Sequence, residues 1–225
     1  MPKPTIDADA NALSAICPSE VASAALPIEG SYTLFDSEIA IVQNAVAKRK
    51  AEFAAGRAAA RAALAKIGLT AQPILKAADR SPVWPNGIAG SITHTPRCAA
   101  SVACQTSQFA SVGLDAETSD PLKPDLRRKV LTQSEMAAAT AADALTVPNC
   151  KLTFVAKEAL FKAVHPITKR YFGFHDAEVF LNPDGSWSAK LDATAVKLPP
   201  SLALTHGRWI ASPDHVFCII LVQPR

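Results

Sequence analysis

Two carboxylates close an apolar run at Val112-Gly113-Leu114-Asp115-Ala116-Glu117. Alternate side chains of an extended chain share a face, so Asp115 and Glu117 project together. Like charges side by side repel; a divalent cation relieves that, and an all-oxygen donor set favours magnesium. A strand end entering solvent accounts for the same pattern. A third carboxylate, Glu158, lies between Phe154 and Phe161 on one face of the helical segment Phe154-Val155-Ala156-Lys157-Glu158-Ala159-Leu160-Phe161-Lys162-Ala163. Such a group is penalised on a partly apolar face unless it is paired or bound to metal. The plainer account is a surface ion pair with Lys162, four residues on. Lys157 and Lys162 also offer positive charge to a phosphate.

Arg57 and Arg61 stand four apart, on one helix face, and paired guanidinium donors suit a phosphate. A solvated face, with Arg49 and Lys50 as further exposed positions, is the alternative. Arg80 lies in a loop rich in proline and glycine. Gly90-Ser91-Ile92-Thr93-His94-Thr95 sets Thr93 and His94 among hydroxyls, in a glycine-started turn suited to holding a phosphate or orienting a ligand.

The elements that must position these groups follow from periodicity and breakers. A helix is expected over 37–67, capped by Asp36 or Ser37, with Val42, Val46, Phe53, Leu64 and Ile67 as its stripe and Gly68 as its stop. Gly56 inside it costs about 1 kcal/mol relative to alanine and so marks close approach of a backbone or ligand. Residues 77–90 read as an ordered loop, 99–105 and 110–115 as strands, and 126–144 and 152–164 as helices. A hairpin over 177–181 and 186–191 turns through Asn182-Pro183-Asp184-Gly185, and 202–211 and 216–222 read as two more strands. Helices followed by antiparallel strands indicate an α+β fold. No Gly-x-Gly-x-x-Gly or Walker-type loop is present.

Composition bounds the class. In 225 residues, 49% are hydrophobic and 19% charged, enough for a packed core. A net charge of +3 without a long basic run argues against a dedicated nucleic-acid binder, while permitting a local basic pocket. The five cysteines are odd in number and lack C-x-x-C spacing, which argues against a disulfide framework or zinc site and for a reducing cytoplasm. The first 15 residues carry Asp7 and Asp9 and no signal-type apolar core, and the apolar run 216–222 is too short to span a bilayer.

In this order the segments resemble the Sfp-type 4′-phosphopantetheinyl transferases, in their EntD/PptT-like branch. Glu52-Phe53-Ala54-Ala55-Gly56-Arg57-Ala58-Ala59-Ala60-Arg61 comes first, then Arg80-Ser81-Pro82-Val83-Trp84-Pro85-Asn86-Gly87. The Gly90–Thr95 and Val112–Glu117 segments and the Lys-Glu-Ala helix follow, and then Ile167-Thr168-Lys169-Arg170-Tyr171-Phe172-Gly173-Phe174. The resemblance spans residues 38–177. It implies a pseudo-dimeric α+β fold of two similar halves, 1–110 and 111–225, with the active site at their interface. It implies transfer of the phosphopantetheine arm of coenzyme A to a serine of an apo acyl or peptidyl carrier protein, releasing adenosine 3′,5′-bisphosphate.

On that pattern Asp115, Glu117 and Glu158 resemble the ligands of magnesium, or of manganese in its place. Arg57, Arg61, Arg80, Thr93 and His94 match positions contacting coenzyme A, and Lys157 and Lys162 match basic residues near its pyrophosphate. Glu158, directly or through a metal-bound water, is the candidate base for the serine proton. Phe161 and Tyr171 are candidate walls of an apolar slot for the pantetheine chain, or else core residues. Leu126-Arg127-Arg128-Lys129-Val130 is a candidate carrier contact, or else a solvated helix face. A monomer is expected, with no nucleic-acid or membrane partner. A magnesium-dependent nucleotide phosphohydrolase and a non-catalytic coenzyme A-binding module are the competing readings.

Overall fold

The computed structural model describes residues 6–141 and 148–225. Helix α1 (Ile6–Ile16) leads into strand β1 (Ala22–Pro27), neither of which the sequence reading placed. Helices α2 (Asp36–Val42) and α3 (Ala47–Lys66) follow, then strands β2 (Ile88–His94) and β3 (Cys98–Gln105). Strands β1, β3 and β2 form an antiparallel sheet in that order. Helix α3 packs on β3 and β1. Small residues make that approach close: Ala55, Ala59, Ala60 and Ala63 on the helix and Ala99, Ala100 and Ala103 on β3 are fully buried. Much of the chain's alanine is therefore interface, not filler. Gly56 marks a close approach not of a backbone or ligand but of the Ile92 side chain; a Cβ there would stand 3.1 Å from it.

Strand β4 (Ser111–Thr118) opens a second sheet. Helices α4 (Pro124–Val130), α5 (Gln133–Ala141) and α6 (Asn149–Thr168) come next. Strands β5 (Ala177–Leu181), β6 (Ser186–Leu191), β7 (Leu202–Leu204), β8 (Gly207–Ala211) and β9 (His215–Pro224) complete the fold. The sheet runs β4-β9-β8-β6-β5, with β7 alongside β9. Helix α6 packs on β4 and β9. The approach is tight at Gly113, where a Cβ would stand 1.9 Å from the Ala159 carbonyl oxygen. The mixed helix-and-sheet architecture is the α+β class read from the sequence.

The two sheets are sutured at β2 and β4. The Ser91 hydroxyl accepts from the Leu114 N–H (3.0 Å), and Thr93 Oγ1 donates to Asp115 (2.8 Å). Residues 90–94, expected as a turn, are thus strand, and the alternation of β2 aims Ser91 and Thr93 at the seam.

Three expected elements divide. The helix over 37–67 breaks after Val42 because Glu38 binds Arg61 with both carboxylate oxygens at 2.9 Å. In one straight helix those residues would lie about 34 Å apart. The N-cap is Phe35 rather than Asp36 or Ser37, its N–H held by the Glu38 carboxylate at 3.1 Å. The helix over 126–144 breaks at Leu131, because Thr132-Gln133-Ser134-Glu135 is a capping box that starts α5: Thr132 N–H donates to Glu135 at 2.7 Å and Glu135 N–H to Thr132 at 3.3 Å. Residues 142–144 of that expected helix lie outside the described residues. The strand over 202–211 splits where four residue steps from Leu204 to Arg208 face three on β9, a bulge-like slip. Helix α6 instead runs past its expected end, through Pro166 to a left-handed Lys169 cap (φ 52°). No helix among the described residues is long and apolar enough to cross a membrane. All five cysteines are free.

Candidate functional site

Strand β4 and helix α6 bring the three carboxylates to the seam. Asp115 is buried and accepts from Lys162 Nζ at 2.7 Å and from Thr93. Glu117 faces Lys151 at 3.6 Å, a partner unread in the sequence. Glu158 lies on the intervening face of α6. Burial pushes its carboxyl above the usual range, and the Asp115 and Glu117 charges add to the rise. Burial and the Asp115 charge raise Glu117 likewise. Lys151, Glu158 and Lys162 recur at seven- and four-residue spacing, which keeps them on one helix face toward β4.

An all-oxygen, mutually repelling donor set has the chemistry for a hard divalent cation. As arranged, no three His, Cys, Asp or Glu side chains among the described residues stand close enough to hold one. The Lys162 ammonium meets the Asp115 charge instead.

Around this centre lies a cleft of three lobes that share walls. The central lobe, about 620 Å³, is bordered by Arg80, Trp84, Ser91, Glu158, Lys162 and Tyr171, among others. Gly90 leaves room for Trp84, whose ring would stand 2.5 Å from a Cβ there. A polar lobe of about 300 Å³ collects Arg49, Arg57, Lys76, Arg80, His94 and Lys162. A third lobe, about 250 Å³, lies between Glu158, Phe161 and the 171–174 segment. Across the top, Lys169 binds Asp79 at 3.1 Å and clasps the 79–82 loop to the end of α6. Phe161 and Tyr171 line both the central and the third lobe, with rings 5.7 Å apart. Tyr171 is 82% exposed, so it is a mouth residue and not core.

The polar lobe gathers more cations than the sequence reading named. Arg49 reaches His94 Nε2 at 2.9 Å, and Lys76 enters from the loop. Burial lowers the His94 pKa and outweighs nearby Glu52. Arg57 gives its Nε to the Ile74 carbonyl at 2.6 Å and lies over the Phe53 ring. Burial pushes its guanidinium down to about 10. The signal for Arg49 was its place two turns before Arg57. Lys76 carried none, because only the fold returns that loop to α3.

Two expected residues are engaged elsewhere. Arg61 shares a stripe with Arg57, yet each four-residue step turns about 40° around a helix. That drift carries it to Glu38 and to the Thr33 carbonyl at 2.7 Å, outside the three lobes. Lys157, expected at the pyrophosphate, is 2% exposed. Its ammonium donates to Val130 O (2.9 Å), Glu135 Oε2 (2.6 Å) and Phe174 O (2.7 Å). Those bonds use all of a lysine's donors, leaving none for a phosphate. Leu126 to Val130 lie in α4, with Arg128 and Lys129 exposed.

Residues 37–104 match the 4′-phosphopantetheinyl transferase N-terminal domain, and residues 111–219 match the 4′-phosphopantetheinyl transferase superfamily. The chain is 37% identical to the 4′-phosphopantetheinyl transferase Svp of Streptomyces mobaraensis over 193 residues, 84% of this chain and 78% of that one. It is 33% identical to the 4′-phosphopantetheinyl transferase PptT of Mycobacterium tuberculosis over 197 residues, 84% of this chain and 86% of the relative. Enterobactin synthase component D of Salmonella typhi is 31% identical over 159 residues, 70% of this chain and 62% of its own. With matches on both sides of the 106–110 connection and a cationic, carboxylate-centred cleft between the two sheets, the chain belongs to the 4′-phosphopantetheinyl transferase superfamily.

Proposed function

We propose that this enzyme transfers the phosphopantetheine arm of coenzyme A to a serine of an apo acyl or peptidyl carrier protein, releasing adenosine 3′,5′-bisphosphate. The observation that carries the reading is the seam cleft, cationic at one end and lined by Phe161 and Tyr171 at the other, with Glu158 and Lys162 between. Arg49, Lys76, Arg80 and His94 bind the nucleotide phosphates at the polar end. The pantetheine chain lies along Phe161 and Tyr171. Halves 1–110 and 111–225 divide the work: the first holds the nucleotide, the second the carboxylates and Lys162.

The serine oxygen forms a bond to the pyrophosphate phosphorus that carries the arm, and the bond from that phosphorus to the departing bisphosphate breaks. Glu158 takes the serine proton, directly or through a water. Lys162 turns from Asp115 toward the charge that develops on the leaving oxygen. Drawn closer together than they stand here, Asp115, Glu117 and Glu158 would hold magnesium, which would neutralise pyrophosphate charge. Thr93 keeps Asp115 oriented for either partner. The reading takes the protein as a monomer, whose paired sheets supply the interface internally. The resemblance to an enterobactin synthase component is the reason to include siderophore carriers in the panel.

The test is one incubation of purified protein with coenzyme A, magnesium and a panel of apo carriers, followed by intact-mass analysis. The expected result is addition of one phosphopantetheine arm to at least one carrier, abolished by a chelator. Adenosine 3′,5′-bisphosphate formed without carrier would instead mean a phosphohydrolase. Binding of coenzyme A without transfer to any carrier would mean a non-catalytic module.

A further inference from the structure

Lys157 and Glu135 form a buried ion pair, with side chains 1% and 4% exposed. Four segments converge on it. Lys157 takes the carbonyl of Val130, the last residue of α4, and the carbonyl of Phe174 beyond α6. Glu135 takes the N–H of Thr132, which starts α5, and the N–H of Val179 in β5 (2.7 Å). The next residue along α6, Glu158, points into the third lobe of the cleft, whose other wall is the 171–174 segment that Lys157 holds at Phe174.

Replacing a buried ion pair by well-packed apolar groups is often neutral or stabilising, so stability alone does not account for this one. We infer that Lys157 and Glu135 are a positioning pair for the transfer reaction. They hold the α4–α5 elbow and the 171–174 wall at a set distance from Glu158 and so shape the third lobe beside the base, with no donor of Lys157 left for coenzyme A. The inference rests on the transferase reading above and adds a role to residues that this reading leaves unused.

Lys157→Met leaves the Glu135 charge buried and is apt to unfold, so the informative protein is the double variant Lys157→Met with Glu135→Gln, which buries no net charge. Glu135→Gln alone, in a residue outside the three lobes, strands the Lys157 charge and is read as a second case once urea unfolding shows it folded. Three quantities are read: coenzyme A affinity by calorimetry without carrier, kcat and KM toward an apo carrier, and backbone amide exchange. Both variants are expected to bind coenzyme A within about threefold of the parent and to lose at least tenfold in kcat/KM for the carrier. Faster exchange is expected at Val179 and across 171–174.

A tenfold or greater loss of coenzyme A affinity in the double variant would overturn the inference and make Lys157 a phosphate ligand. Unchanged carrier kinetics would also overturn it, leaving the pair a structural tie. A parent that binds coenzyme A and transfers nothing would sink the transferase reading instead. The exchange result would then judge the pair: unaltered exchange at 171–174 removes it.

Discussion

Glu158 feels two repelling carboxylates, Asp115 and Glu117, and the opposing charge of Lys162. Glu158→Gln keeps the shape and removes the basic oxygen, so kcat is expected to fall by about 10²–10⁴-fold, read by intact mass with saturating coenzyme A and magnesium. Near-normal turnover would remove Glu158 as the base. The arginines divide differently. Arg61→Ala strands Glu38, which is fully buried, and is expected to destabilise by about 3–5 kcal/mol in urea unfolding, with coenzyme A affinity little changed. Arg80→Ala, on two lobes of the cleft, is expected to weaken coenzyme A about tenfold while leaving the urea midpoint in place. The opposite pattern would reassign both. Residue type announced all of these groups, spacing paired Asp115 with Glu117 and Glu158 with Lys162, and the family resemblance joined the two pairs. Spacing could not separate Lys157 from Lys162, because a pair five apart on a helix straddles two faces and only the neighbours say which face meets the cleft.

At the scale of elements, the contact between α6 and β4 sets the distance from Glu158 to Asp115. Gly113 is the point of closest approach, and any Cβ must push the Ala159 carbonyl away. Gly113→Ala is expected to cost about 3 kcal/mol by overpacking and to lower transfer activity further than the unfolded fraction accounts for. Full activity per folded molecule would show that this contact does not set the site. The tight glycine was unreadable in the strand pattern, since a strand glycine looks the same beside a bulge, a ligand or a helix. The divided helices 37–67 and 126–144 have the same origin. Propensity favoured continuity; Arg61 for Glu38, and for Glu135 both its capping box with Thr132 and its ion pair with Lys157, made the break worth more than the extra turns.

At the scale of the molecule, a buried network ties the N-terminal helix to both sheets. His215 on β9 contacts Asp9 of α1 through Nδ1 (2.9 Å) and Thr95, just past β2, through Nε2 (2.9 Å). Ser212 adds a 2.6 Å bond to Asp9. Burial works against the Asp9 carboxylate, yet the His215 and Ser212 hydrogen bonds and the His215 charge hold its pKa below 3.8. A carboxyl depressed on folding contributes stability above its unfolded pKa and loses it as pH falls through the folded one. Asp9→Asn is therefore expected to cost about 1–3 kcal/mol at neutral pH and to lose less than the parent between about pH 5 and pH 3. Equal acid sensitivity of the two proteins would mean that the network does not govern the acid limb.

The sequence by itself determined the α+β class, the acidic strand end, the Lys-Glu-Ala helix and the family, because these depend on local order along the chain. The tertiary structure alone decided that Arg49 and Lys76 enter the polar lobe, that Arg61 and Lys157 are engaged elsewhere, and that Asp9 meets His215 at the far end of the chain. Each of those outcomes is a pairing between distant segments. Residue types state what a side chain can bind, and only packing states which of several acceptors lies within reach.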